Sequence, residues 1–221
     1  MSAFRAYRIH RNDGRISARF DQITLDDLTP GEVVVRVRHS DINYKDTLAA
    51  TGGVGSLAVN MLAGRGYEVV ALSAKADADD YLGAIGAARI LRRQDLNLGA
   101  KPLEPVQWAG AIDNLGGDVL AWLTRTVDFW GNIASIGLAA SHELHTTVMP
   151  FILRGVNLLW INSVATPRDV RLVVRDRIAT DLRPRQLERI SARVVKFDTL
   201  PAQFGPYIDG AITGRIVVEI S

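Results

Sequence analysis

The chain has 221 residues, 48% of them apolar, enough to bury a real core in one large domain or two small ones. Its 26 Lys and Arg against 24 Asp and Glu leave a net charge of only +2, interspersed along the chain rather than blocked, which argues against a nucleic-acid surface. With no cysteine, disulfides and thiolate metal sites are excluded, and no apolar run reaches transmembrane length; the expectation is a cytoplasmic protein.

Residues 3–9 and 16–24 read as strands around the turn Asn12-Asp13-Gly14, and Pro30-Gly31 opens the β-branched run of residues 32–38. Thr51-Gly52-Gly53-Val54-Gly55-Ser56 is a glycine turn running into a helix, in which Leu57, Ala58, Met61 and Leu62 share a face and Gly64 and Gly66 mark the end. A strand follows over residues 67–72, then a helix over about 79–85 that Asp77 or Asp79 could cap. Strands are expected at 88–91, 109–113 and 132–136, with a helix near 118–127 between the last two. Residues 157–164 read as a strand, 167–180 as a helix, 194–197 as a strand, 202–208 as a short helix and 215–220 as a final strand. The alternation predicts an α/β chain with a parallel sheet covered on both faces.

A glycine turn opening a helix lets the backbone approach a diphosphate, and the free N–H groups of the first helical turn point at it. Taken alone the pattern is also that of an ordinary tight turn. The next strand ends at Ser73-Ala74-Lys75, where a dinucleotide fold meets the adenosine ribose; an acidic residue there would suit NAD. A hydroxyl and a cation, with Arg92 and Arg93 at the next strand end, suit a 2′-phosphate, so NADPH is expected over NADH; the bland alternative is solvated surface charge. His142-Glu143-Leu144-His145 lacks a third ligand and reads as a surface loop, so no metal is expected. Trp122, Trp130 and Trp160 lie in or beside apolar segments and read as core.

Asp41-Ile42-Asn43-Tyr44-Lys45-Asp46, together with the turn from Gly52, resembles the zinc-free quinone reductases of the medium-chain dehydrogenase/reductase superfamily, and its acrylyl-CoA reductase branch best. Trp108-Ala109-Gly110-Ala111-Ile112-Asp113, Gly137-Leu138-Ala139, Thr213-Gly214-Arg215 and the run from Thr146 through Met149-Pro150-Phe151-Ile152-Leu153-Arg154 carry the likeness along the chain. The resemblance implies a doubly wound (Rossmann) nucleotide domain over residues 51–165 and the remnant of a GroES-like β-barrel over 1–50. Residues 166–221 would return to the barrel. It implies NADPH-dependent reduction of the C=C bond of a short enoyl-CoA, or of a quinone, with hydride added at the β-carbon and a proton at the α-carbon. By residue, it assigns nucleotide contacts to Tyr44, Thr51, Gly52, Gly53, Val54, Ser73, Ala74, Lys75, Arg93, Leu138, Ile152 and Ser163. Tyr44 would stand near the nicotinamide and position it or donate to the developing enolate. A homodimer is implied as well. Trp160 stands where the family carries glycine, so its ring could crowd the cofactor or a subunit contact.

In that family a long block separates the tyrosine segment from the glycine turn, completing the barrel and supplying the first, central strand of the nucleotide domain. Here only residues 45–50 intervene, and a strand alone takes about five residues. The resemblance therefore implies an internal deletion at Ala50-Thr51-Gly52, and the inherited activity is expected to be impaired. The alternative is a non-catalytic nucleotide-binding or unstable chain.

Overall fold

The computed structural model describes residues 3–29, 31, 37–41 and 52–220. The chain divides into two compact units, Met1–Val37 and Arg38–Ser221.

The first unit is a hairpin of β1 (Phe4–Asn12) and β2 (Arg15–Ile23), paired antiparallel from Phe4↔Ile23 to Asn12↔Arg15. Asp13 and Gly14 make the turn with φ of 50° and 79°, the two positive values that the tight hairpin turn demands and that Asp-Gly supplies at low cost. The facing rings of Tyr7 and Phe20 meet edge to face at 4.9 Å, and the Arg5 guanidinium lies 4.0 Å above the Phe20 centroid. Across the same ladder His10 Nε2 meets Asp21 Oδ2 at 2.5 Å, and Arg19 Nε donates to Asp21 Oδ1. The strand expected over residues 32–38 lies mostly outside the described residues.

The second unit is α/β, as expected. Its elements run β3 (His39–Asp41), α1 (Gly53–Gly64), β4 (Val70–Ser73), α2 (Asp79–Ala84), β5 (Arg89–Arg92), β6 (Trp108–Asp113), α3 (Gly117–Thr126), β7 (Val127–Ser135), α4 (Met149–Leu153), β8 (Asn157–Trp160), α5 (Arg168–Ala179), α6 (Leu187–Ile190), β9 (Arg193–Lys196), α7 (Pro201–Ile208) and β10 (Ile216–Glu219). β4 and β5 pair parallel, and so do β6, β7 and β8, the order β6-β7-β8. β10 lies between β9, parallel, and β3, antiparallel.

Two apolar clusters hold this unit. One joins α1, β4 and α2 through Val59, Ala71, Leu82 and Ile85, the last two wholly buried. The other packs α3 on β6 and β7 through Leu120, Trp122, Val127 and Ile133, with Trp108 and Trp122 edge to face at 5.8 Å. Each fully buried Leu or Ile contributes about 1.5–3 kcal/mol, so these clusters fix which helix covers which strands.

A doubly wound sheet of this connectivity has the strand order 3-2-1-4-5-6. β5 and β4 take the first two places and β6, β7 and β8 the last three. Among the described residues no strand occupies the place between β4 and β6. A cavity of about 720 Å³ lies there, lined by α1, β4, β6 and α3.

Several expectations change. The fully buried residues of α1 are Gly55, Ser56, Val59 and Asn60, while Leu57, Ala58, Met61 and Leu62 are half-buried, Leu57 and Leu62 packing against the cluster around Val59. Asp77 and Asp79 do not cap α2: the N-cap is Ala78, and the Asp79 carboxylate is taken by Arg92. Trp122 is core, but Trp130 and Trp160 are 76% and 64% exposed. Trp160 ends the edge strand β8, and Trp130 has φ +60°, which lays its ring over Gly155 instead of into the sheet. The strand read as 157–164 stops at Trp160, where Asn162 forms an Asx turn with Val164 and Ala165.

Candidate functional site

The glycine turn becomes the start of α1. Gly52 is the N-cap, with no side-chain cap, and its carbonyl accepts from Ser56 N at 2.9 Å. The amides of Gly53, Val54 and Gly55 thus open the helix without intrahelical acceptors, the arrangement that binds phosphate oxygens. Gly52 bridges Gly214 in parallel fashion, which brings the C-terminal Thr213-Gly214-Arg215 beside the turn. A Cβ on Gly53 would come within 2.5 Å of Arg215 Nε, so the absence of a side chain there admits a guanidinium to the helix N-terminus. A guanidinium thus lies beside the positive end of the helix dipole.

Ser73 closes β4, is buried, and its Oγ accepts from Lys75 N at 3.0 Å. That bond shapes the turn through the exposed Ala74 and presents Lys75 at the strand end. Lys75 Nζ donates to the Ile212 carbonyl at 2.7 Å and to Thr213 Oγ1 at 3.2 Å. Burial holds its pKa below the ordinary lysine value, opposed by the nearby Asp77 carboxylate. Arg92, read with Arg93 as part of the cationic rim, is used locally: it donates to the carbonyls of Lys75 and Ala76 and to Asp79. Arg93 follows β5 and is exposed.

The remaining assigned residues fall after the ends of β7 and β8 and on α4. Leu138 follows β7 and is 60% exposed, Ile152 on α4 is 73% exposed, and Ser163 follows β8 and is exposed. Ser73 to Lys75, Arg93, Leu138 and Ser163 therefore lie at or after the carboxyl ends of parallel strands, where open α/β sheets bind ligands, while Gly52 to Val54 open α1. Tyr44 and Thr51 lie outside the described residues. Arg154, the end of the most distinctive run, is structural: it donates to the carbonyls of Arg125 and Glu104, tying the end of α3 to the loop before β6.

Asp113, at the carboxyl end of β6, was not singled out from sequence. It is 3% exposed and accepts from Leu115 N, Gly116 N and Ser135 Oγ, fixing the turn into α3. Burial pushes its carboxyl above the usual range, against those donors. The meeting of Lys75 and the glycine turn with the C-terminal loop was also missed; its one sequence signal was Thr213-Gly214-Arg215 itself. Among the described residues no group of three His, Cys, Asp or Glu could hold a metal ion, and His145 and Glu143 bond to each other at the surface.

No protein-family model matches the chain. Over 172 residues it is 44% identical to the putative quinone oxidoreductase YhfP of Bacillus subtilis, covering 77% of this chain and 52% of that protein. Over 195 residues it is 40% identical to the acrylyl-CoA reductase AcuI of Ruegeria pomeroyi, covering 88% of this chain and 56% of that protein. The fold matches the crystal structure of the yhdH oxidoreductase from Salmonella enterica in complex with NADP with a TM-score of 0.92 at 25% identity, over 99% of this chain and 100% of that chain. The chain spans about half the length of the curated relatives it matches.

Proposed function

We propose that this chain, a relative of the quinone oxidoreductases and acrylyl-CoA reductases of the medium-chain dehydrogenase/reductase superfamily, binds NADPH along the carboxyl ends of its parallel strands. The reading makes it a zinc-free, cytoplasmic reductase of the C=C bond of a short enoyl-CoA, or of a quinone. The observation that carries it is the start of α1, where Gly53 and Val54 open the helix without a side-chain cap and the Arg215 guanidinium lies beside Gly53, an arrangement suited to a diphosphate. Lys75 and Arg93 would hold the 2′-phosphate, with Ser73 and Ala74 beneath the ribose. Leu138, Ile152 and Ser163 would enclose the nicotinamide half, and Tyr44 would position the ring or donate a hydrogen bond to the developing enolate. Thr51 and Gly52 would complete the turn around the phosphates. When bound, the dinucleotide supplies hydride; this chain's residues bind, orient and shield it. Among the described residues no helix is long and apolar enough to cross a membrane.

The reading includes a homodimer. Leu159 and Trp160 on the edge strand β8, and Phe129 and Trp130 of β7, are exposed apolar side chains that such a contact could cover. A second reading, nucleotide binding without turnover, is favoured by the open cavity between β4 and β6, which leaves the turn without a described strand in front of it.

Calorimetric titration with NADPH and NADH, followed by loss of absorbance at 340 nm with acryloyl-CoA or 1,4-benzoquinone, tests both. Heat with NADPH and turnover supports the reductase. Heat without turnover supports the second reading. No heat at millimolar NADPH overturns both.

A further inference from the structure

One short loop, residues 212–215 at the entry to β10, meets two separate parts of the nucleotide domain. Ile212 and Thr213 take the ammonium of Lys75, just past the end of β4. Gly214 bridges Gly52, and Arg215 lies beside Gly53, at the start of α1. In a dinucleotide fold the strand end meets the adenosine ribose and the helix start meets the diphosphate. The loop is anchored in the core. Ile212 is buried with Tyr207 and Ile216, and Arg215 N donates to the Ile190 carbonyl at 2.7 Å. Gly214, at φ +77°, packs against that same carbonyl. Between these anchors Thr213 is exposed.

Lys75 is fixed along its whole length. Its backbone N–H donates to Ser73 Oγ at 3.0 Å, and its carbonyl accepts from Arg92 Nη1 at 2.5 Å. Its ammonium donates to the Ile212 carbonyl at 2.7 Å and to Thr213 Oγ1 at 3.2 Å. A solvated lysine loses rotamer freedom when a ligand orders it; here the fold has already ordered it. An ammonium carries three N–H groups. Two go to the loop, and among the described residues no acceptor takes the third. Both loop acceptors are uncharged, so the ammonium keeps its full charge for an anion, which a carboxylate in their place would offset. The Ile212 carbonyl is backbone and does not depend on a side chain. The Thr213 hydroxyl is the part of this clasp that one substitution removes. The Asp77 carboxylate is close enough to act on the same ammonium, so an unclasped Lys75 has a competing partner two residues away.

We infer that Thr213 is a specificity-determining residue for the coenzyme: its hydroxyl holds the Lys75 ammonium, 138 positions earlier in the chain, where it takes the 2′-phosphate of NADPH. Thr213 acts through Lys75 as a positioning residue. The inference rests on the NADPH reading above and adds to it a determinant from the far end of the chain.

The test is calorimetric titration of the full chain with NADPH and with NADH, for the parent, Thr213→Val, Thr213→Ser and Lys75→Ala. Thr213→Val is expected to lower the preference for NADPH over NADH about three- to tenfold, with NADH affinity unchanged. Thr213→Ser, which keeps the hydroxyl, should restore the parent's preference. In a Lys75→Ala background Thr213→Val should add nothing, because the group it positions is gone. If Thr213→Val does not fold, Thr213→Ala makes the same comparison. A loop that merely staples the fold would weaken both coenzymes alike, and that result overturns the inference. So does an unchanged preference, an effect that persists without Lys75, or tighter NADPH binding by Thr213→Val, which would mean that the loop competes with the phosphate. No heat from the parent with either coenzyme overturns the nucleotide reading itself, and this inference with it; heat from the parent with any of the other adverse results overturns the role of Thr213 alone.

Discussion

Lys75 Nζ donates to the carbonyl of Ile212 at 2.7 Å and to the hydroxyl of Thr213 at 3.2 Å, fastening the end of β4 to the loop that enters β10. The ammonium is thus held at the strand end where the adenosine ribose of a dinucleotide would lie. Lys75→Ala is expected to weaken NADPH binding about tenfold or more while leaving NADH nearly unchanged, the scale of one charge-assisted bond. Calorimetry with the two coenzymes checks it. A variant that kept its preference for NADPH would remove Lys75 from the 2′-phosphate site.

Gly53→Ala would place a methyl against the Arg215 guanidinium. The contact is with the far end of a flexible side chain, so folding should lose no more than about 1 kcal/mol. Anion binding should suffer more, because the cation is pushed away from the helix start. The expected result is a nearly unchanged melting midpoint with NADPH affinity down at least about fivefold.

Gly214→Ala should behave in the opposite way. Gly214 has φ +77°, and a Cβ there would collide with the backbone carbonyl of Ile190, which cannot swing aside. Strain in the left-handed region costs about 1 kcal/mol or more before the collision is counted. Thermal melting should show Gly214→Ala clearly less stable than Gly53→Ala.

Trp160→Asp puts a charge on the exposed edge of β8. If the edge of β8 joins two copies, this variant should weaken association at least about tenfold, the scale of a buried interface tryptophan. Sedimentation equilibrium of parent and variant measures it, and equal masses for the two would dismiss the proposed dimer face.

Asp113 predicts a pH dependence. Burial raises its folded pKa above the ordinary 3.8, so between those two values the folded chain binds more proton than the unfolded chain. Stability from this group therefore falls as pH rises through that window and is flat above it. Asp113→Asn removes the slope at the cost of acceptors for Gly116 and Ser135. The midpoint of the variant, measured relative to the parent, should rise with pH from 3.8 upward; a difference that falls with pH would contradict the sign.

Local rules carried much of the fold. Asp13-Gly14 fixed the hairpin, because only a few residues take two positive φ values in succession. The glycine turn and the helix behind it were legible for the same reason. Long-range pairings were not. Nothing local in the sequence joins Lys75 to Ile212, or Arg215 to Gly53, since the partners meet only after β10 is laid down. Apolar patterning also misread Trp130 and Trp160, because it marks what could be covered and not what lies on an edge. The short helix α4 escaped notice because its five residues are too few to show a period.

Asn60 has one more implication. Its Nδ2 donates to the Ile85 carbonyl at 2.8 Å, and its Oδ1 accepts from Gln186 N at 3.1 Å, a residue 126 positions along. The helix behind the glycine turn is thereby moored from the rear, by groups that owe nothing to whatever precedes Gly52. The bearing of the first amides of α1 is therefore kept from behind, provided the distant stretch around Gln186 stays attached.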